Sequence, residues 1–415
     1  MDVPNSDGKK KVSRLQRKLD VKDFKLQAIQ NIAKAINSNL ASEELLNSYK
    51  TILQNPPLSI EKLLLFEKQD VWRCMMQFGV EGQIDEIAQN WFQDADEQMF
   101  FTTADGDEEQ FDVLIPVHLE NELIAYVIVG DVDDKARISP VIKHMNFIQT
   151  LTNLIIVAVK NRRMLEESLK QERVKKELEL AAEMQAMLVP DTLPSDTFFD
   201  VSAIYRPHQQ VGGDYYDFIE LNENEVMFCM ADVSGKGVSA AFLMSNFQAY
   251  LMAIFKYKEL SLEEAVTELN ERVMHSAKGE KYITFFVARY NKTNRMLNYI
   301  NCGHNPPLLM APSKEVEWLK FGSVGLGMFE EIPNIQTGSV KVESNSVIVC
   351  YTDGLVEVEN EQLEEYGTER LEELVKIQYH STMAELNSKI IQELNVFRES
   401  MPFVDDTAVL SCRFI

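Results

Sequence analysis

The sequence has no Cys-x-x-Cys pair, no His-x-x-x-His or His-Glu-x-x-His spacing, and no apolar run of membrane length. Its five cysteines, Cys74, Cys229, Cys302, Cys350 and Cys412, are scattered. An odd count without zinc-ligand spacing points to reduced thiols in a cytosol. The six histidines carry no metal-site spacing either, which excludes a histidine-built zinc centre. The longest apolar stretch, Leu151 to Val159, is interrupted by Thr152 and Asn153 and is too short to cross a bilayer. Met1 to Lys11 is polar and lysine-bearing, with no apolar segment behind it for a signal peptide. A cytoplasmic protein is the expectation. Positive charge is scarce, with 41 Lys and Arg against 65 Asp and Glu, a formal net charge of −24. Such a surface repels nucleic-acid backbones and anionic membranes, so neither is expected as a partner.

What is present is a chain of 415 residues, 45% of them apolar, enough for two or three cored domains. Residues 1–20 are basic and polar and read as a flexible tail. From Phe24 to Leu46 apolar residues recur at helical spacing, at Ile29, Ile32, Ala33, Ile36, Leu40 and Leu45. Pro56-Pro57 ends that pattern. Strand-like runs follow at Leu63–Phe66, Val71–Phe78, Val113–Leu119 and Leu123–Val129, with Glu120-Asn121-Glu122 as a hairpin turn. A further helix is expected near Ile142. Residues 21–146 thus read as one α+β domain of sensory size.

From Phe147 to Leu188 neither proline nor glycine interrupts the chain, so residues 147–189 read as a long linker helix closed by Pro190 and Pro194. Leu151, Leu154, Ala158, Leu165 and Leu169 follow three-four spacing. Val174, Leu178, Ala181 and Leu188 resume it after a phase slip near Gln171. A coiled coil would make the protein a homodimer; a connector helix packed on its own domains is the alternative. Residues 190–415 alternate short strands and helices.

Four acidic patches in that last segment look like strand ends followed by turns. They are Gly212-Gly213-Asp214-Tyr215-Tyr216-Asp217, Asp232 with Val233-Ser234-Gly235-Lys236-Gly237, Thr352-Asp353-Gly354, and Asp405-Asp406 before the strand Ala408–Cys412. An aspartate at a strand end is held with its carboxylate aimed off the sheet. Several such groups converging form an all-oxygen site suited to Mg²⁺ or Mn²⁺. Singly, each is as well explained by an ordinary Asp-Gly turn. Ser234–Gly237 lacks the spacing of a phosphate-binding P-loop and reads as the tight turn opening a helix over Val238–Phe255.

Taken in order, the patches resemble the PPM metal-dependent protein phosphatases, in the bacterial branch of the sporulation stage II E protein and the sigma-B regulators. The resemblance also covers Glu183-Met184-Gln185, Leu188-Val189-Pro190, Ala240-Ala241, Gly303-His304-Asn305-Pro306-Pro307, Tyr351 with Leu355, and Tyr366-Gly367. It implies an αββα sandwich with the metals at one edge of the sheets. Asp232 is then expected to bridge two ions, Mn²⁺ or Mg²⁺, with the Val233 carbonyl on one of them. Asp353 and Asp405 would complete one shell, and Asp214 would hold the second ion directly or through water. Asp406 is expected beside the ligands rather than among them. Thr407-Ala408 and Gly325-Leu326-Gly327 depart from the family pattern, but neither touches a ligand position.

The N-terminal domain resembles a GAF domain in the order of its elements, without a ligand motif; Cys74 reads as a core residue. The overall expectation is α+β: a GAF-like sensor, a long connecting helix, and a C-terminal phosphatase domain. Its implied function is removal of phosphate from serine or threonine of a phosphoprotein, for which an anti-sigma-factor antagonist is the family's suggestion. A phosphatase-like scaffold that binds phosphoproteins without turnover is the alternative. Loss of a metal aspartate would favour the scaffold, and all are present. Arg206 is either a phosphate ligand or a surface residue, and His304 either a proton donor or a structural hydrogen-bond partner.

Overall fold

The computed structural model describes residues 6–80, 99–100, 113–119, 122–130 and 140–415, and the chain separates into two compact units, Met1–Glu172 and Arg173–Ile415. In the first unit, α1 (Ser6–Asn37) and α2 (Ser42–Gln54) precede five strands: β1 (Lys62–Lys68), β2 (Trp72–Phe78), β3 (Met99–Phe100), β4 (Val113–Leu119) and β5 (Glu122–Gly130). These form an antiparallel sheet in the order β2-β1-β5-β4-β3. The segment expected as a flexible tail is helical from Ser6. No proline and only one glycine, Gly8, stand between Ser6 and Asn37, so nothing in the sequence breaks the helix. Glu120 and Asn121 of the expected hairpin turn lie outside the described residues; Leu119 faces Glu122 across the strand pair.

The further helix near Ile142 and the long helix from Phe147 are one element, α3 (Pro140–Ala186). Its start packs Ile148, Leu151 and Ile155 against Leu63, Leu65, Val127 and Val129. Thr152, which interrupts the apolar letters, is buried in that core and shares a 2.5 Å hydrogen bond with the Tyr49 hydroxyl. The expected seam is therefore divided. Leu151 belongs to the core, while Leu165, Leu169 and Val174 are exposed.

The second unit contains β6 (Phe199–Arg206), β7 (Tyr215–Glu220), β8 (Glu225–Val233), α4 (Val238–Tyr257), α5 (Leu262–Ala277), β9 (Ile283–Asn291) and β10 (Met296–Cys302). There follow β11 (Leu308–Met310), β12 (Val316–Trp318), β13 (Gly322–Ser323), β14 (Gly338–Lys341), β15 (Val347–Tyr351), α6 (Asp353–Val356), α7 (Gly367–Ile377), α8 (Met383–Phe397) and β16 (Thr407–Phe414). One sheet runs β13-β10-β9-β8-β7, with β14 also on β10; the other runs β12-β11-β15-β16-β6. Three apolar layers hold them together. Helices α4 and α5 pack on the first sheet, the two sheets pack on each other, and α7 and α8 pack on the second. The order is helices, sheet, sheet, helices.

Among the described residues one helix, α4, is long and apolar enough to cross a membrane by length and composition. It is the helix expected over Val238–Phe255, and Ser245, Asn246 and Gln248 interrupt its apolar letters. Leu243, Met244, Phe247 and Leu251 place its inner face on the first sheet, as the apolar face of a core helix does.

Candidate active site

Strand parity decides where the acidic residues point. Along β8, Met227, Cys229, Ala231 and Val233 face the helices, while Val226, Phe228 and Met230 face the other sheet. Side chains alternate along a strand, so Asp232 falls on the inter-sheet face. The same parity holds for Tyr216 and Phe218 of β7, which puts Asp214 on that face one position before the strand. Tyr215 pairs with Ala231, so the register carried one step further sets Asp214 opposite Asp232. Across the sandwich, Ile348 and Cys350 of β15 and Ala408 and Leu410 of β16 face inward. Thr352 and Asp406 continue those rows to the same end. Antiparallel pairing joins them there: Thr352 N–H donates to the Ala408 carbonyl, and Ala408 N–H donates to Thr352 Oγ1 at 2.9 Å.

The glycines of these patches are close-approach positions. A Cβ on Gly354 would lie 1.9 Å from the Asp406 carbonyl oxygen, and one on Gly212 would lie 2.0 Å from the Tyr205 hydroxyl. A Cβ on Gly213 would meet the Val233 carbonyl oxygen at 3.1 Å, which places that carbonyl next to Asp214. Asp406 is anchored by backbone donors, His208 N–H at 2.7 Å and Gly213 N–H at 2.6 Å. It holds the Gly212-Gly213 segment to the start of β16, so both its carboxylate oxygens accept from backbone donors. Gly235 and Gly237 adopt φ of +79° and +74°, which shapes the tight turn expected before α4.

Electrostatics mark the same place. Asp214 is buried, and its Oδ2 has no hydrogen-bond partner. Burial, reinforced by Asp232 and Asp406, raises its carboxyl well above the usual range. Burial, with Asp353 and Asp405 alongside, pushes Asp232 up to about 7. Asp353 is raised by burial and then by Asp405. These groups act on one another, yet among the described residues no three His, Cys, Asp or Glu side chains gather closely enough to hold an ion as they stand. The carboxylates converge without closing into a cage. An oxygen-only donor set, a buried carboxylate oxygen without a partner and carboxyls mutually raised by repulsion together fit a divalent cation of the Mg²⁺ or Mn²⁺ kind.

The other candidates separate clearly. His304 is buried, bonds Thr284 Oγ1 through Nδ1 at 2.8 Å, and donates its backbone N–H to Asn301 Oδ1 at 2.8 Å. Burial lowers its pKa to about 4, which favours the neutral imidazole, and its Nε2 has no hydrogen-bond partner among the described residues. Arg206 lies at the end of β6, paired with Thr407, and its side chain makes no hydrogen bond or ion pair among the described residues. Two residues that the sequence reading did not single out also reach the site. Gln185 clamps Gly212 from both sides: its Nε2 donates to the carbonyl at 2.7 Å and its Oε1 accepts from the N–H at 3.1 Å. Lys236 Nζ lies 2.8 Å from Asp405 Oδ2 and donates to the Val404 carbonyl. Both stand in motifs that carry the family resemblance, Glu183-Met184-Gln185 and Ser234-Gly235-Lys236-Gly237, but nothing in those letters assigned either a role of its own.

Comparison with solved structures gives the class. The SiaA-PP2C domain of Pseudomonas aeruginosa superposes with a TM-score of 0.54 at 19% identity, covering 59% of this chain and 99% of that domain. The second unit therefore has the PP2C fold. Residues 222–415 match the family described as Stage II sporulation protein E (SpoIIE), a span that includes Asp232, Asp353, Asp405 and Asp406 and begins after Asp214. This part of the chain is a SpoIIE-type PP2C phosphatase domain. Phosphoserine phosphatase RsbU of Bacillus subtilis is 28% identical over 225 residues, 51% of this chain and 66% of that protein. Phosphoserine phosphatase RsbP of the same organism is 25% identical over 237 residues, 56% of each chain. Protein IcfG of Synechocystis is 25% identical over 247 residues, 52% of this chain and 38% of that protein. The chain thus spans two thirds or less of the curated relatives it matches.

Proposed function

We propose that this chain is a metal-dependent phosphatase of phosphoserine or phosphothreonine in a protein, acting in the cytoplasm and regulated through α3. The observation that carries the reading is the convergence of Asp214, Asp232, Asp353 and Asp405 at one end of the inter-sheet layer, with a buried Asp214 oxygen left without a partner. Two divalent ions sharing a carboxylate there would lower the pKa of a water toward neutrality and neutralise phosphoryl oxygens. Asp232 would help hold the ions, together with the Val233 carbonyl. Asp353 and Asp405 would complete one shell and Asp214 would serve the other. Asp406 would position Asp214 through Gly213, and His304 would stay neutral. The named activity of the RsbU and RsbP relatives supports a phosphoserine substrate. A small anti-sigma-factor antagonist is the substrate we propose, on the family resemblance.

Regulation is supported by the end of α3. Gln185 bonds the loop that leads to Asp214, and an apolar groove of about 380 Å³ between Met184, Leu188, Val238 and Phe242 leaves that helix end room to shift. The carboxylates do not stand in a closed cage, so a shift of the Gly212–Asp214 segment would change ion affinity. The first unit, an antiparallel sheet backed by helices, supports a GAF-like sensor. Mn²⁺-dependent release of p-nitrophenol from its phosphate ester tests the reading. Asp232→Ala should lose activity at least about 100-fold, and Asp353→Asn should come close to it with the fold intact. An Asp232→Ala protein with wild-type rates sinks the assignment.

A further inference from the structure

A phosphate ester dianion approaching this site meets an electrostatic problem. Asp214, Asp232, Asp353, Asp405 and Asp406 outweigh two divalent ions by one charge, and the chain as a whole carries −24. A cation at the mouth has to offset that repulsion. Lys236 lies in the turn following Asp232, and Lys281, just before β9, reaches that turn with its side chain. Lys281 is committed: its Nζ donates to the Ser234 carbonyl at 2.7 Å and stands over Gly235. Lys236 is placed differently. It sits between two glycines of positive φ, so the turn's shape fixes where its side chain leaves the backbone. Its side chain is half exposed, and its ammonium donates to the Val404 carbonyl and meets the Asp405 carboxylate at 2.8 Å. It is one contact from the acidic centre and open to solvent.

We propose that Lys236 binds the phosphoryl group of the substrate, an inference that rests on the phosphatase reading. Without substrate its ammonium rests on Asp405. The Asp405 oxygen cannot serve fully both a divalent ion and the ammonium, so metal loading frees the lysine to meet phosphate oxygens at the mouth. Lysine suits this role because its point charge on a flexible stem can make that exchange. A charge-assisted hydrogen bond to phosphate then supplies affinity that the carboxylates cannot.

The test uses the full-length protein loaded with Mn²⁺ and inorganic phosphate as the probe. Phosphate binding is measured by calorimetry for wild type, Lys236→Gln and Lys236→Arg, and Mn²⁺ binding is measured on the same proteins. Lys236→Gln should weaken phosphate at least about tenfold, with KM for p-nitrophenyl phosphate rising alongside. Lys236→Arg keeps the charge and should bind phosphate within about threefold of wild type. Mn²⁺ should bind the Gln variant as well as wild type or more tightly. Unchanged phosphate binding in the Gln variant, with tighter Mn²⁺, would show a mere counter-ion to Asp405 and overturn the proposal. Lys236-dependent phosphate binding without ester hydrolysis by wild type would instead refute the phosphatase reading and leave this assignment standing.

Discussion

At the scale of single residues, Asp232 concentrates the chemistry. Burial and its neighbours push its carboxyl up to about 7, above the value near 4 of an unfolded aspartate. The metal-free folded chain therefore holds a proton that the unfolded chain releases earlier. This group's contribution to stability is fullest at acid pH and is lost as pH rises from about 4 through 7. Asp232→Asn removes that liability, so at pH 8 with chelator the variant should melt about 3–6 °C above wild type. Mn²⁺ should raise the melting temperature of wild type and scarcely move the variant. Calorimetric scans with and without EDTA check both; a variant melting below wild type in EDTA contradicts them. Gly354 gives a second prediction. Its Cβ would lie 1.9 Å from the Asp406 carbonyl, so Gly354→Ala should cost about 1–3 kcal/mol in denaturant unfolding. In the sequence, Asp353-Gly354 is indistinguishable from an ordinary turn, because the backbone that crowds the glycine comes from 52 positions further on.

At the scale of elements, the sequence showed the aspartates at strand ends before turns, and strand parity adds the face on which they lie. Alternating apolar letters in β8 and β16 fix which face carries Asp232 and Asp406, and short strands leave their ends exposed to turns. What the letters did not show are contacts set by tertiary approach. Glu183-Met184-Gln185 entered as a motif of the family resemblance, and nothing in its letters showed that Gln185 makes two hydrogen bonds to Gly212. Helix α1 was read as a tail because its first residues are charged, although charge alone does not break a helix. Gln185→Ala would leave two buried backbone groups unpaired, at a cost of about 1–3 kcal/mol. Under the proposed coupling it should weaken Mn²⁺ binding about tenfold, which equals 1.4 kcal/mol. Inserting two residues near Gln171 rotates the downstream helix by about 200° and should uncouple the N-terminal unit. Turnover and Mn²⁺ affinity unchanged in both variants would reduce α3 to a passive tether.

At the scale of the whole molecule, α3 leaves Leu165, Leu169 and Val174 in water beyond the first unit's core. Pairing with a second copy would cover them. Light scattering of the full chain should then give about twice its 47.6 kDa. A monomer at high micromolar concentration would favour a solvated connector helix. The central claim is that a metal-loaded acidic end of the second unit hydrolyses phosphoserine or phosphothreonine. Its most direct measurement is phosphate release from phosphoserine and phosphothreonine peptides by the full-length chain during a Mn²⁺ titration. Release should rise saturably with Mn²⁺, stop on chelation, and be abolished by Asp232→Ala. Phosphate release that persists in chelator, or in the Asp232→Ala protein, would contradict it.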